Sequence, residues 1–277
     1  MLYNLREYHR PVDMDEALRL LRRTEVRTVA LAGGTDLVGQ NNPDVEAVVD
    51  LSGLGLDFIE REGNRLRLGA TVRLQTIVEE LADAADGLLA ETARRMAGRN
   101  VRHAATLGGT LASRRINSPL SVALAALGAQ VTLTGGETET VTWPALSPDR
   151  LRGCLITQIA IDLPGGRLGA AYEQVGRTPA DLPIVCAAAI AQVVQEGLIS
   201  TRTVVGGLLA DDLVSLDLPV VASNPDIDRI DGIGADAPKT ALLSDYLGSA
   251  EYRRAVAPVL ARRALSSALG RLGISVG

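Results

Sequence analysis

The chain has 277 residues and a formal net charge of -5, with 47% apolar and 22% charged residues of mixed sign. That length buries a sizeable core in one large or two modest domains. The acidic balance excludes a general nucleic-acid binder, which carries a basic face, and no apolar run approaches the roughly 18 residues that span a bilayer. The first residues, Met1-Leu2-Tyr3-Asn4-Leu5-Arg6, hold no apolar signal region, so a cytoplasmic location is the default expectation. Two distant cysteines, Cys154 and Cys186, read as small buried hydrophobes and give little from which to build a metal site or an iron–sulfur cluster. With only two histidines, His9 and His103, a zinc site or a Ser/His/Asp triad is equally poorly supported. Redox chemistry in such a chain needs a bound organic cofactor.

In chain order, residues 1–12 read as an extended lead-in. Asp13 and Glu16 resemble a capping box, opening a helix with Ala17, Leu18 and Leu21 on one face. Val29–Ala32 is a strand, Asn41-Asn42-Pro43-Asp44 a loop, and Ala47–Leu51 a buried strand. Phe58–Glu62 and Arg65–Gly69 flank Gly63-Asn64 as a hairpin. Thr71 caps a predicted helix carrying Leu74, Ile77, Val78 and Leu81, and a second helix follows at Leu88–Gly98. A short helix at Leu120–Leu127, a strand at Gln130–Thr134 and a strand at Leu155–Leu163 lead to Pro164-Gly165-Gly166, a turn that marks a domain boundary. Beyond it, Ala170–Val175, Ile184–Val194 and Leu198–Val205 are strands. Residues 219–240 read as a loop, and the remainder as helical. Leu242, Leu243 and Tyr246 suit a short helix. Glu251–Leu269 suits a long one, with Tyr252, Val256, Val259, Leu260 and Ala264 inward and Arg253, Arg254, Arg262 and Arg263 solvated.

Two segments share a Gly-Gly-Thr run. One is Leu31-Ala32-Gly33-Gly34-Thr35-Asp36-Leu37; the other is Thr106-Leu107-Gly108-Gly109-Thr110-Leu111. Read as strand-associated turns, they offer backbone N–H groups that no Cβ obstructs, which suits a pyrophosphate, and Thr35 and Thr110 add hydroxyl donors. Neither is a P-loop or a Gly-x-Gly-x-x-Gly fingerprint. Each alone also reads as an ordinary tight turn. Asp36 suits a ribose or ribityl hydroxyl, or the cap of its own turn. His103 suits a phosphate contact or a plain surface position.

Together these segments resemble the FAD-binding medium subunit of molybdenum hydroxylases, the carbon-monoxide, xanthine and aromatic dehydrogenase group. Ala32-Gly33-Gly34-Thr35-Asp36-Leu37 resembles the first flavin loop of that family, and Thr106-Leu107-Gly108-Gly109 its second. Val49-Asp50-Leu51, Leu66-Arg67-Leu68-Gly69-Ala70-Thr71, Tyr172-Glu173-Gln174-Val175-Gly176-Arg177 with Asp181, and the Glu251–Leu265 helix extend the likeness along nearly the whole chain. The resemblance implies an α+β fold: a two-lobed FAD-binding domain of the vanillyl-alcohol-oxidase type over residues 1–166 (lobes about 1–52 and 53–166), then a C-terminal domain, 167–277, of antiparallel sheet packed on helices. It implies an oxidoreductase subunit that does not turn over the organic substrate alone. FAD would lie on both glycine loops, with Tyr172 either stacking on the flavin or filling its strand's core. The iron–sulfur small subunit and the molybdopterin large subunit would be its partners, as a dimer of heterotrimers. Electrons would pass from [2Fe–2S] clusters through FAD to NAD or another acceptor.

The chain departs from the family around the second loop. Arg102-His103 stands where Arg-Asn is usual, Thr110 where Asn or Asp is common, and Ser113-Arg114-Arg115-Ile116-Asn117-Ser118-Pro119 lacks the acid of Ser-Pro-x-x-Asp. These changes imply weakened FAD binding, or a flavin-free structural paralogue of the subunit. A stand-alone FAD oxidoreductase is less favoured, because no acid/base pair stands beside the loops.

Overall fold

The computed structural model describes residues 2–143, 145–147, 149–163, 165–178 and 181–276. The chain separates into two compact units. The first comprises residues up to Thr76, Arg99–Arg114 and Ala129–Ile161, and the second comprises Ile77–Gly98, Arg115–Gly128 and Asp162 onward. Pro164, of the turn expected as a boundary, lies outside the described residues, whereas Gly166 beside it has φ +87°.

The first unit begins with β1 (Glu7–His9), α1 (Met14–Leu21), β2 (Thr28–Leu31) and β3 (Ala47–Asp50). Asp13 caps α1 by accepting from the Glu16 backbone N–H at 2.8 Å. The strands form a parallel sheet in the order β1-β3-β2, with Leu31 opposite Asp50. Ala47, Val48 and Val49 are fully buried in the central strand, which explains its unbroken apolar run. Ala17, Leu18 and Leu20 of α1 pack with Val49 and Leu51. Because the strands are parallel, all three end on the same side, where the loop after Leu31 begins.

A second sheet in this unit contains β4 (Ile59–Glu62), β5 (Arg65–Gly69), β6 (Gln130–Thr134), β7 (Thr138–Thr142) and β8 (Leu155–Asp162), ordered β4-β5-β8-β6-β7. The β4–β5 hairpin turns at Gly63, φ +58°, as expected. The edge strand β7 escaped the sequence reading because only Val141 in it is buried. The helix assigned to a Thr71 cap starts later, as α2 (Leu74–Glu80), after Arg73 has paired with Thr106 as a bridge and the Leu74 N–H has bonded to the Ala105 carbonyl at 3.0 Å. Two short helices, α4 (Arg99–Arg102) and α5 (Leu107–Ala112), complete the unit.

The second unit holds α3 (Leu88–Arg94), α6 (Pro119–Ala126), and the antiparallel strands β9 (Leu168–Val175), β10 (Val185–Gln195), β11 (Leu198–Gly206) and β12 (Val214–Val221), ordered β12-β11-β10-β9. Helix α3 ends before Gly98, where Arg95 and Met96 switch to bonds reaching back three residues. The fourth strand corrects the sequence reading, which gave no strand there and a loop from residue 219. Val214, Leu216, Leu218 and Val220 alternate inward, and Pro219 is tolerated because β12 is an edge. A 3-10 turn at Asp228–Gly232 interrupts the rest of the expected loop. The helix expected around Leu242 and Tyr246 does not form. Leu242 pairs with Leu209 as a bridge, and the Leu243 N–H donates to the Leu208 carbonyl.

Helix α7 (Ala250–Arg271) lies on this sheet with a different face inward from the one expected. Arg253, Ala257, Leu260, Ala261, Ala264, Leu265, Ala268 and Leu269 are buried, while Tyr252 and Val259 are exposed. Arg253, assigned to the solvated face, is 0% exposed. Its Nη1 donates to the carbonyls of Ile184 and Gly207, its Nε to Gly248 and its Nη2 to Asp245. A buried guanidinium with its donors answered holds a core position that a hydropathy pattern gives to an alkyl side chain.

Candidate flavin-binding site

The loop after β2 takes its shape from two glycines. Gly34 has φ +68°, a conformation that strains any residue with a Cβ. Gly33 packs against a neighbouring backbone so closely that a Cβ there would stand 2.1 Å from the Ala104 carbonyl oxygen and 2.9 Å from the Ala105 Cα. The loop then coils. The Val38 N–H donates to the Gly34 carbonyl and the Gln40 N–H to the Asp36 carbonyl, each at 3.0 Å, and the Gln40 Nε2 donates to the Asp36 carboxylate at 2.7 Å. Asp36 therefore supports its own turn. Among the described residues, the backbone N–H groups of Gly33, Gly34, Thr35 and Leu37 have no protein acceptor. Leu31 and Ala32, half-buried, carry the strand into this loop.

The second segment is not a turn, and this corrects the sequence reading. Thr106 is the N-cap of α5, and Gly108 and Gly109 lie in the first helical turn. Two glycines in a helix argue against one by propensity, but each has a packing reason. A Cβ on Gly108 would lie 2.7 Å from the Ala70 Cβ, and one on Gly109 2.9 Å from the Thr106 Oγ1. The donors expected for phosphate are spent here. The Leu107 N–H goes to the Val72 carbonyl, Gly108 to Ala70, Gly109 to the Thr106 hydroxyl and Thr110 to the Thr106 carbonyl. The Thr110 hydroxyl also donates to the Thr106 carbonyl, at 2.9 Å.

The Gly33 contact nevertheless brings the two segments together. Arg73 fastens the junction, its Nη1 donating to the carbonyls of His103 at 2.7 Å and Ala104 at 3.2 Å. His103 is exposed, and its N–H closes α4 onto the Arg99 carbonyl. The sequence reading missed Arg73, which no local motif marks out.

Downstream, the residues that depart from the family motif have local duties. Arg114 takes φ +48° after α5, Asn117 Nδ2 donates to the Pro183 carbonyl at 2.6 Å, and Ser118-Pro119 starts α6 with proline in its first turn. Tyr172 is a strand core residue, 4% exposed, with the Arg95 guanidinium 5.6 Å from its ring centroid and its hydroxyl on Gln174. Burial pushes its phenol well above the usual range. In this conformation its ring has no open face for stacking.

The described residues contain no group of three or more His, Cys, Asp or Glu suited to a metal, and no helix long and apolar enough to cross a membrane. An α+β chain whose first unit carries a glycine loop with unspent donors is the architecture of a nucleotide-cofactor domain. The family model described as the FAD binding domain in molybdopterin dehydrogenase matches residues 3–151, and the chain belongs to that family. It is 28% identical over 285 residues to the carbon monoxide dehydrogenase medium chain of Afipia carboxidovorans, covering 96% of this chain and 97% of that one. It is 32% identical over 186 residues to YgfM of Escherichia coli, covering 66% and 69%. Among solved structures, a chain of reconstituted CO dehydrogenase from Oligotropha carboxidovorans superposes with a TM-score of 0.80 at 27% identity, over 98% of this chain and 100% of that one. The chain is thus an FAD-binding medium subunit of the molybdenum hydroxylase type, an oxidoreductase component with the expected α+β fold.

Proposed function

We propose that this chain carries electrons from the [2Fe–2S] clusters of a small partner subunit, through FAD, to NAD or another acceptor, while a large partner subunit holds the molybdopterin. The observation that carries the reading is the row of unspent N–H groups at Gly33, Gly34, Thr35 and Leu37, on a loop pressed against Ala104. A compact dianion satisfies such donors without side-chain rearrangement. FAD, when bound, supplies the redox chemistry; the protein's part is to hold its phosphates, orient it and limit water. Residues Leu31–Leu37 form the primary contact. Thr106, Gly108, Gly109 and Thr110 form a packed wall behind it, with His103 at the rim. Tyr172 contributes only through the strand it anchors. The division into a flavin domain, 1–166, and a C-terminal domain, 167–277, the cytoplasmic location and the dimer of heterotrimers belong to the same proposal.

A second reading, a flavin-free structural subunit, draws on the spent donors of residues 107–110 and the missing acid before Pro119. Titration of FAD into the purified chain, followed by quenching of flavin fluorescence, separates the two. Saturable quenching with one FAD per chain supports the flavoprotein. Free-flavin fluorescence at every concentration, with or without partner subunits, supports the structural subunit.

A further inference from the structure

The glycine loop leaves β2, an edge strand of four residues whose ladder runs to β3 alone. A strand this short, paired on one side, opens at low cost, so whatever fixes its start bears on the loop at its end. That start is clasped by one side chain. Arg23, in the connection between α1 and β2, donates from Nη1 to the Glu7 carboxylate on β1 at 2.7 Å and from Nη2 to the Thr28 hydroxyl on β2 at 3.0 Å. The Thr28 hydroxyl donates in turn to the Val26 carbonyl at 3.0 Å. The Glu7 carboxylate also meets the His9 Nε2 at 2.8 Å. Glu7 and Thr28 both stand opposite Ala47 of the central strand, so a single guanidinium spans the sheet from edge to edge. Ala47 permits this, because a longer side chain in that register would fill the space the guanidinium crosses. The Arg23 and Glu7 side chains are 24% and 35% exposed, so water screens the pair only in part.

We propose that Arg23, held between Glu7 and Thr28, is a positioning residue for the glycine loop: it fixes the start of β2 and so the place where residues 33–37 present their N–H groups. This role rests on the FAD reading above and puts a determinant of it at the opposite end of the strand, acting through the backbone and not by contact with the dinucleotide. The mechanical link is short. Thr28 and Leu31 are the first and last residues of β2, about 10 Å apart, and Leu31 continues through Ala32 into Gly33. A shift of Thr28 along the sheet moves Leu31 off its register with Asp50 and Gly33 off the Ala104 carbonyl. The clasp needs arginine, whose planar fork reaches acceptors on two strands at once, where a lysine ammonium is a single point charge.

The test uses the full chain as wild type, Arg23→Met, Arg23→Lys, Thr28→Val and Thr28→Ser, with Arg19→Gln on the exposed side of α1 as a control. Amide hydrogen exchange in the cofactor-free chain is read at Val38 and Gln40, whose N–H groups close the loop. Both should exchange about two- to fivefold faster in Arg23→Met and Thr28→Val, and at the wild-type rate in Thr28→Ser and the control. FAD affinity, from fluorescence titration, should fall by a similar factor in the same two variants, while riboflavin, which has no phosphate, binds as before. Arg23→Lys keeps a charge pair with Glu7, and so the urea midpoint, yet should lose loop protection and FAD affinity as Arg23→Met does. Wild-type exchange at Val38 and Gln40 in both Arg23→Met and Thr28→Val overturns the proposal. So does faster exchange spread evenly over the chain, which marks a general loss of stability, or faster loop exchange with FAD affinity unchanged. A wild-type chain that binds no FAD defeats the flavoprotein reading instead, and the exchange rates then decide the clasp by themselves.

Discussion

Gly33 sits so close to Ala104 that a single methyl group at its Cα would stand 2.1 Å from the Ala104 carbonyl oxygen. That carbonyl cannot retreat freely, because Arg73 is bonded to it. Gly33→Ala must therefore push the loop off the α4–α5 junction. Overpacking of this kind costs about 1–3 kcal/mol, visible as a lower urea midpoint, and FAD uptake should weaken with it. Unaltered stability and unaltered uptake would show that the loop is not seated as described.

Two helical glycines should respond to alanine with opposite signs. Gly270 lies in the last turn of α7 with nothing within 4 Å of its Cβ position, so Gly270→Ala gains helix propensity, about 0.5–1 kcal/mol. Gly108→Ala gains the same propensity but meets the Ala70 Cβ at 2.7 Å and its carbonyl oxygen at 2.9 Å, and is expected to destabilise. Chemical denaturation of both variants reads the two signs directly.

Arg253 and Asp245 form a partly buried ion pair at 2.5 Å that ties α7 to the start of β10 and the end of β11. Burial works against the Asp245 carboxylate, but the Arg253 guanidinium and the N–H groups of Leu247 and Gly248 outweigh it and hold the carboxyl below its usual range. A depressed carboxyl adds stability that is complete above the unfolded value, about 4, and is lost as the pH falls through the folded one. Stability should therefore drop on acidification below about pH 4, and Asp245→Asn should remove part of that drop. Arg253→Met strands several buried carbonyls and the carboxylate, costing about 3–5 kcal/mol.

The two thiols should differ in reactivity. Burial pushes the Cys186 thiol up to about 12, whereas Cys154 is partly accessible. An aromatic disulfide reagent near neutral pH should label no more than one cysteine in the folded chain and both after denaturation. Rapid labelling of Cys186 in the native protein would contradict its packing.

Much of this was legible in the residues. The Asp13 cap, the β4–β5 hairpin, the three strands from Leu168 to Gly206 and the first glycine loop follow from capping, turn chemistry and apolar runs, and the family resemblance was carried by motifs standing in plain sequence. What was not legible has physical causes. Thr138–Thr142 and Val214–Val221 are edge strands whose outward faces are polar or contain proline, so their composition reads as loop. Arg253 occupies an inward position because four acceptors meet it there, and no hydropathy pattern anticipates them. The helical state of Gly108 and Gly109 depends on contacts with Ala70 and Thr106, the first some forty residues away. Which N–H groups are spent and which are open is a property of the folded backbone alone, and that difference separates the two glycine segments.

The most direct measurement is the visible absorbance of the purified chain after incubation with FAD and removal of the unbound cofactor. The account predicts a retained flavin spectrum near one FAD per chain, reduced in Gly33→Ala. A colourless protein after the same treatment, alone and with the iron–sulfur and molybdopterin subunits present, would contradict it.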